Sequence, residues 1–311
     1  LTVVMLVALR LTIGAHFFYE GVWKINNADK FSAKPFLTMA KGPAAPLYYA
    51  MVPDINGERR LAISEDDKGQ PVIKGETYLK AWQDLLDRVV DKYKLGDDQQ
   101  KEAGELFERY EDSLDEYLAD NLEDITAYFG ALERHREHKA AGNNGAAHQK
   151  KRIWDEQMKL RGEAGGWLNE IEGMGDDYAM ALWNVLDDDQ KASGDLPRAW
   201  TMSDFMDFAV TWGLTAIGFC LIVGFCNRLA CLGGAVFLIN VLLTQPPWPA
   251  IYPPAPSVVG HALIIDKNFV EMVAMVMLAT TAVGRWGGLD YFLHHWLGRP
   301  IEAYLEQKCK K

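Results

Sequence analysis

The chain is poor in cysteine and lacks every familiar cofactor signature. Four cysteines occur in 311 residues. Cys220, Cys226 and Cys231 lie in or beside apolar runs, Cys309 lies near the end, and no C-x-x-C is present. The pattern reads as small apolar packing residues. No C-x-x-C-H haem site, G-x-G-x-x-G turn or serine-nucleophile elbow is found, and the "DDD" at 187–189 lacks the spacing and glycine of an EF-hand.

Basic charge is also short. The chain carries 32 Lys/Arg against 43 Asp/Glu, a net charge of −11. The excess acid sits in one block: residues 26–203 hold 23 Lys/Arg and 35 Asp/Glu, whereas the remainder is nearly balanced at +1. Without a basic stripe, nucleic acid is excluded as a partner. The acidic block reads as a solvated helical surface.

Elsewhere charge is missing altogether. Phe208–Cys226 and Leu229–Ile265 contain no charged residue, a feature hidden by the mean hydropathy of −0.13. A bilayer core of about 30 Å needs about 20 apolar helical residues. Four segments fit: Leu1–Trp23, Phe205–Cys226, Leu229–Thr244 extended toward Trp248, and Lys267–Trp286. The first could be mistaken for a signal peptide. Its length, its Arg10 and the lack of a small-x-small site before Glu20-Gly21 favour a retained span, behind a start that is processed or incomplete.

Orientation follows from the short loops. Arg228 is the sole charge of "CNRLA", and Arg285, Arg299, Lys308, Lys310 and Lys311 follow the fourth span. The positive-inside tendency puts these on the cytoplasmic side and the acidic block outside. Within that block "SAKPFLTMAKGPAAPLYYAMVPDINGERRLAI" is irregular by its Pro and Gly punctuation. Helical spacing then places Leu79, Trp82, Leu85, Leu86, Val89 and Val90 on one stripe. A second helix runs from Asp98 toward Ala140, capped by Asp97, with a break near Asp120-Asn121. "GNNG" at 142–145 is a turn; a third helix is interrupted near Gly165-Gly166, and "DDYAMALWNVL" makes a short fourth. "LGDDQQ" (95–100) and "LDDDQK" (186–191) echo one another as helix starts with acidic first turns. Trp248 and Tyr252, in the proline-rich outer loop 245–256, suit the headgroup level, and "YFLHHWLGRPIEAYL" reads as an amphipathic inner-surface helix.

Ionisable groups within apolar spans are costly and point to protein interiors or wet cavities. On span one, Arg10, Gly14, Phe17, Glu20, Gly21 and Lys24 share an arc of roughly 120°, and His16 lies off it. Arg10 is expected about 18–20 Å below the outer surface and Glu271 about 6–8 Å, close in depth to Glu20 and His16. Asp204, Asp207, His261, Asp266 and Lys267 enter from the same side, with Asp266 as the N-cap of span four. This arrangement leads to a pocket open to the outer face. In it Arg10 would stabilise an anion or a reduced quinone oxygen, and Glu20, Glu271 or His261 would move protons. The competing interpretation is a set of satisfied pairs and caps that fix helix packing. His135 and His138, three apart on a helix, lack an evident third ligand, so no metal is expected.

"LRLTIGAHFFYEGVWKI" (9–25), "IVGFCNRLACLGG" (222–234) and "DKNFVEMVAMVMLATTAVGRWGGLD" (266–290) together resemble the DoxX family in order and spacing. The matching positions are Arg10, Gly14, Gly21, Lys24, Arg228 and Asp290. The resemblance covers roughly the membrane part and implies a compact four-helix bundle in a bacterial cytoplasmic membrane. Some relatives are subunits of a thiosulfate:quinone oxidoreductase, which makes quinone the implied cofactor or substrate. Ordinary members have a short connection where this chain inserts its acidic block. "SAKPFLTMAKGPAAPL" resembles a segment of enlarged DoxX-like proteins.

The expected architecture is an all-α membrane protein, a four-transmembrane-helix bundle with an inserted extracytoplasmic helical domain. Span one occupies residues 1–25, the insertion 26–203, spans two to four 204–286, and a cytoplasmic-side amphipathic tail 287–311. The expected function is a redox-associated membrane subunit passing electrons to quinone. The alternative is a non-catalytic accessory subunit that docks protein partners of a larger membrane complex through the insertion. A transporter is disfavoured by four spans without an inverted repeat.

Overall fold

The computed structural model describes residues 1–28, 30–141, 146–248, 251 and 264–298. In chain order come α1 (Thr2–Asn26), α2 (Lys34–Thr38), α3 (Ala45–Ala50), β1 (Ile63–Glu65), β2 (Pro71–Ile73), α4 (Glu76–Tyr93), α5 (Asp97–Asp120) and α6 (Leu122–Ala141). They are followed by α7 (Ala147–Val185), α8 (Asp188–Lys191), α9 (Met202–Val223), α10 (Asn227–Thr244), α11 (Lys267–Thr280) and α12 (Asp290–Leu293). The chain forms two compact units: Leu1–Val52 with everything from Thr201 onward, and Pro53–Trp200.

The first unit is a bundle of α1, α9, α10 and α11. Three of these, α1, α9 and α10, are long and apolar enough to cross a membrane. α11 is shorter than the expected 267–286 segment. It has 14 residues, about 21 Å against a core of about 30 Å. Thr281 ends it: its backbone is extended, and its hydroxyl donates to Leu278 O at 2.8 Å and accepts from Val283 N at 3.4 Å. Such a hydroxyl competes with the helical ladder for backbone groups. A 3₁₀ turn, Val283–Arg285, then resumes the path.

Small residues bring α1 and α9 together. A Cβ on Gly14 would lie 2.9 Å from Leu221 Cβ, and one on Gly21 or Gly218 would overlap the backbone of Thr215 or Phe18 respectively. Phe17, Leu214, Leu221, Met275 and Leu278 form the buried centre of this unit. In an apolar solvent such close packing, rather than hydrophobic burial, drives helix association.

Residues 26–52, expected at the start of the insertion, belong instead to this first unit. Asp207 Oδ1 accepts from Ala33 N at 2.6 Å, Lys41 N donates to Thr244 O at 2.8 Å, and the Tyr48 hydroxyl donates to Asn240 O at 3.1 Å. Because α2 and α3 bind the ends of α9 and α10 through these bonds, the second unit begins only at Pro53.

That second unit is helical apart from one antiparallel hairpin, β1 with β2, which the all-α expectation did not contain. Asp66 organises its turn, accepting from Lys68 N and Gln70 N at 2.8 Å each. α4 buries Tyr78, Trp82, Leu86, Val89 and Tyr93, a stripe that includes both terminal tyrosines, whereas Leu79, Leu85 and Val90 are partly buried. The break after Asp120 separates α5 from α6 as expected. α7 departs from expectation, because it runs 39 residues without interruption through Gly165-Gly166 and includes the segment expected as a fourth helix. Two interior glycines cost about 1 kcal/mol each. Ala164, Leu168 and Ile171, buried beside and beyond them, hold the helix through that point, and a Cβ on either glycine would meet only open space.

The two echoing segments turn out to face each other. In each, the glutamine at the third helical position accepts from the N-cap amide: Gly96 N to Gln99 Oε1 at 3.2 Å, and Asp187 N to Gln190 Oε1 at 2.9 Å. The two amides then pair reciprocally, Gln99 Nε2 to Gln190 Oε1 at 2.9 Å and Gln190 Nε2 to Gln99 Oε1 at 3.1 Å. One local cap signature used twice has become a long-range clasp.

Candidate functional site: ionisable groups in the apolar helices

Three helix ends and Arg10 meet at one end of the first unit. Helix α9 stops at Gly224 in a left-handed conformation (φ 67°), and its last carbonyls are satisfied from the turn before α12: Leu289 N donates to Val223 O at 3.0 Å and Asp290 N to Gly224 O at 2.8 Å. The Asp290 carboxylate turns to the start of α10, accepting from Cys226 N at 2.7 Å and Asn227 N at 2.9 Å. An anion at a helix N-terminus satisfies otherwise unpaired N–H groups and is favoured by the helix dipole. Arg10 is 1% exposed and donates to Val283 O at 3.0 Å and, more weakly, to Gly287 O at 3.5 Å. A Cβ on Gly224 would fall 2.5 Å from its Nη1, and one on Gly284 would strike the Asp290 carboxylate. The glycines at this junction are therefore required by close approach.

This geometry redefines Arg10. An anion or a reduced quinone oxygen needs a donor it can reach. Arg10 instead anchors the turn after α11, and its Nε is buried with no partner among the described residues. The structure brings Arg10 together with Asp290 and the glycine turn, not with Glu20, which lies ten residues further along α1, about 15 Å by helical rise. Arg228 is exposed in the first turn of α10.

The ionisable pair of the bundle lies toward the other end. His16 Nδ1 and Glu271 Oε1 are 3.0 Å apart, with the histidine side chain 54% exposed and the glutamate 17%. One helical turn along α1, Glu20 Oε2 accepts from Lys24 Nζ at 3.0 Å, and that ammonium also sits 5.1 Å from the Phe31 ring. His16, Glu20 and Lys24 are spaced i, i+4, i+8, so they form one ladder on α1. Glu271 is thus joined to α1 by the residue that the Arg10-centred arc left out. The i, i+4 spacing to Glu20 was the visible signal for it. Asp266 caps α11 as expected, accepting from Phe269 N at 2.8 Å. Asp204 belongs to a capping box with Thr201 at the start of α9. His261 and Tyr252 lie outside the described residues, as do "GNNG", Cys309 and most of the tail.

The second unit has its own polar sites. His135 and His138 both face Glu156 on α7, at 3.3 and 3.9 Å, so the pair ties α6 to α7 through one carboxylate. Asp54 accepts from Arg59 N and Arg60 N, and Arg60 reaches Glu172 at 2.8 Å. The Arg136 guanidinium, 2.6 Å away, holds the Glu58 carboxyl below its usual range. Burial lowers Lys139, with Arg161 adding repulsion. A shallow groove is lined by Asp176, Ala179, Met180, Trp183, Asp195 and Leu196.

No family model matches the chain, and neither the curated proteins nor the solved structures contain a match to it.

Proposed function

We propose that this chain is a DoxX-type integral membrane subunit associated with redox chemistry, with α11 and its 3₁₀ extension as the fourth span, quinone as the electron acceptor, and the 53–200 unit on the extracytoplasmic side. The observation that carries the reading is the His16–Glu271 pair in apolar helices. Quinone reduction takes up protons as well as electrons, and a hydrogen-bonded imidazole and carboxylate can supply them. The motif residues Arg10 and Asp290, with the turn glycines Gly284, Gly287 and Gly288 beside them, support the resemblance in a different way. They converge on one junction and act as the frame of the bundle. Proton handling therefore falls to Glu271, with Glu20 in second place, and Arg10 is a framework residue.

A second reading is an accessory subunit that docks a partner. It is favoured by the groove of Met180, Trp183 and Leu196 flanked by Asp176 and Asp195, which suits a segment carrying both basic and apolar side chains. Native mass spectrometry of the protein extracted in mild detergent separates the two. A stoichiometric quinone on the chain, lost in Glu271→Gln, supports the redox subunit. A large assembly with no quinone on this chain supports docking.

A further inference from the structure

We infer that His16 and Glu271 form a proton-exchange pair at the membrane interface, with the imidazole carrying protons between interfacial water and the Glu271 carboxylate. This deepens the redox reading and rests on its membrane placement. Counted from Trp23, His16 is about 10 Å along α1; counted from Asp266, Glu271 is about 8 Å along α11. The two groups are therefore level, at a depth where water still penetrates. Their exposures are unequal in the direction a relay needs. The carboxylate is 17% exposed, whereas the imidazole is 54% exposed. Nδ1 is held at 3.0 Å from Glu271 Oε1. In one transfer a hydronium O–H bond breaks and leaves water as Nε2–H forms, the Nδ1–H bond breaks and an O–H bond forms on Glu271. The net change is one proton passed from hydronium to the carboxylate, with total charge unchanged.

The neighbouring charges suit this use. Glu20 and Lys24 continue the ladder toward the Lys24 end of α1. Asp266 and Lys267 stand at the start of α11, Asp204 and Asp207 at the start of α9, and the only charge on α10 is Arg228, at its beginning. Arg10 is engaged at the other end of the bundle.

Two reagents test this on the full chain in liposomes. Dicyclohexylcarbodiimide, which is apolar and attacks protonated carboxyls, should label Glu271, as shown by peptide mass and by loss of the adduct in Glu271→Gln. Removing the imidazole in His16→Phe should raise that labelling about tenfold near neutral pH, the scale of a lost hydrogen bond to a charged group. His16→Gln, which keeps a donor, should fall between and serves if His16→Phe does not fold. Diethylpyrocarbonate added from the aqueous phase should acylate His16 and raise Glu271 labelling in the same way. Equal labelling in wild type, His16→Gln and His16→Phe overturns the proposal, as does a His16 unreactive from water. Neither reagent requires an electron donor. Labelling as expected with no bound quinone retires the redox reading alone, and unchanged labelling retires the pair whatever the quinone result.

Discussion

The two units solve the problem of helix packing in opposite ways. The 53–200 unit buries large side chains: Trp82, Tyr178, Leu114, Leu118, Ile125 and Ile171 fill its core, each such burial contributing about 1.5–3 kcal/mol. Its polar groups decorate that core as clasps, such as Gln99–Gln190 and Asp54–Arg60–Glu172. The other unit exposes large apolar side chains, among them Phe208, Trp212, Phe219 and Val273, and buries Gly14, Gly21 and Gly218. A lipid-like surrounding explains the inversion. Where the solvent is as apolar as the side chains, burying them yields little, and backbone approach with a few polar anchors sets the geometry. A residue type that is ornamental in one unit is structural in the other: Gly165 faces open space, and Gly218 touches the backbone of Phe18.

Substitutions can break this contrast, beginning with the largest effect. Gly218→Val forces a side chain into the α1 backbone and should destabilise the bundle by more than about 3 kcal/mol. Hydrogen exchange on the full chain should show loss of protection in α1 and α9, while α4–α7 keep theirs. Arg10→Ala removes a fully buried side chain together with its bonds to Val283 O and Gly287 O, and should cost the same bundle about 2–4 kcal/mol. A variant that keeps wild-type protection around 283–290 would show that Arg10 is not a framework residue. Gln99→Ala acts on the other unit. It removes the amide pair and one cap contact, so slowed-exchange amides in α5 and α8 should lose about 2 kcal/mol of protection.

The alkaline limb of stability sharpens the comparison through charge. Burial pushes the Tyr78 phenol up to about 12 and raises Tyr128 and Tyr178 as well. The folded unit therefore holds these protons more tightly than the unfolded chain. The associated stability is complete below about pH 10, where free tyrosine titrates, and is lost as pH rises through the folded values. Exchange or circular-dichroism melts between these limits should show the 53–200 unit weakening. Tyr178→Phe should lessen that loss. At neutral pH it should add about 1 kcal/mol, because the Tyr178 hydroxyl is buried with no hydrogen-bond partner among the described residues. The smallest effect is Gly165→Ala, expected to stabilise α7 by about 0.5–1 kcal/mol. The same substitution at Gly218 would be disruptive, since an added Cβ there overlaps Phe18.

Much of this was legible locally. Apolar runs marked α1, α9 and α10; the Asp120-Asn121 break and the Asp266 cap followed from short-range chemistry. The continuity of α7 was not legible, because Gly165-Gly166 is a local stop signal outweighed by buried neighbours on either side. The shortened α11 depended on how Thr281 placed its hydroxyl, which no hydropathy window registers. Arg10 and Glu271 were recognisable as costly groups in apolar surroundings. The partners of Arg10 were not, since they are carbonyls more than 270 positions away and backbone acceptors leave no trace in residue type. The depth count, by contrast, already set His16 close to the level of Glu271. His16 fell outside an arc drawn around Arg10, yet it is the residue that reaches Glu271.

The sequence by itself determined where the apolar helices lie, where acid accumulates and which positions begin helices. Those properties depend on composition and on contacts within a few residues. The tertiary structure alone decided which ionisable groups meet, that two cap glutamines clasp, and that residues 26–52 join the apolar unit. Each of these depends on groups distant in the chain arriving within hydrogen-bond reach, a range of about 3 Å that only the packed backbone sets.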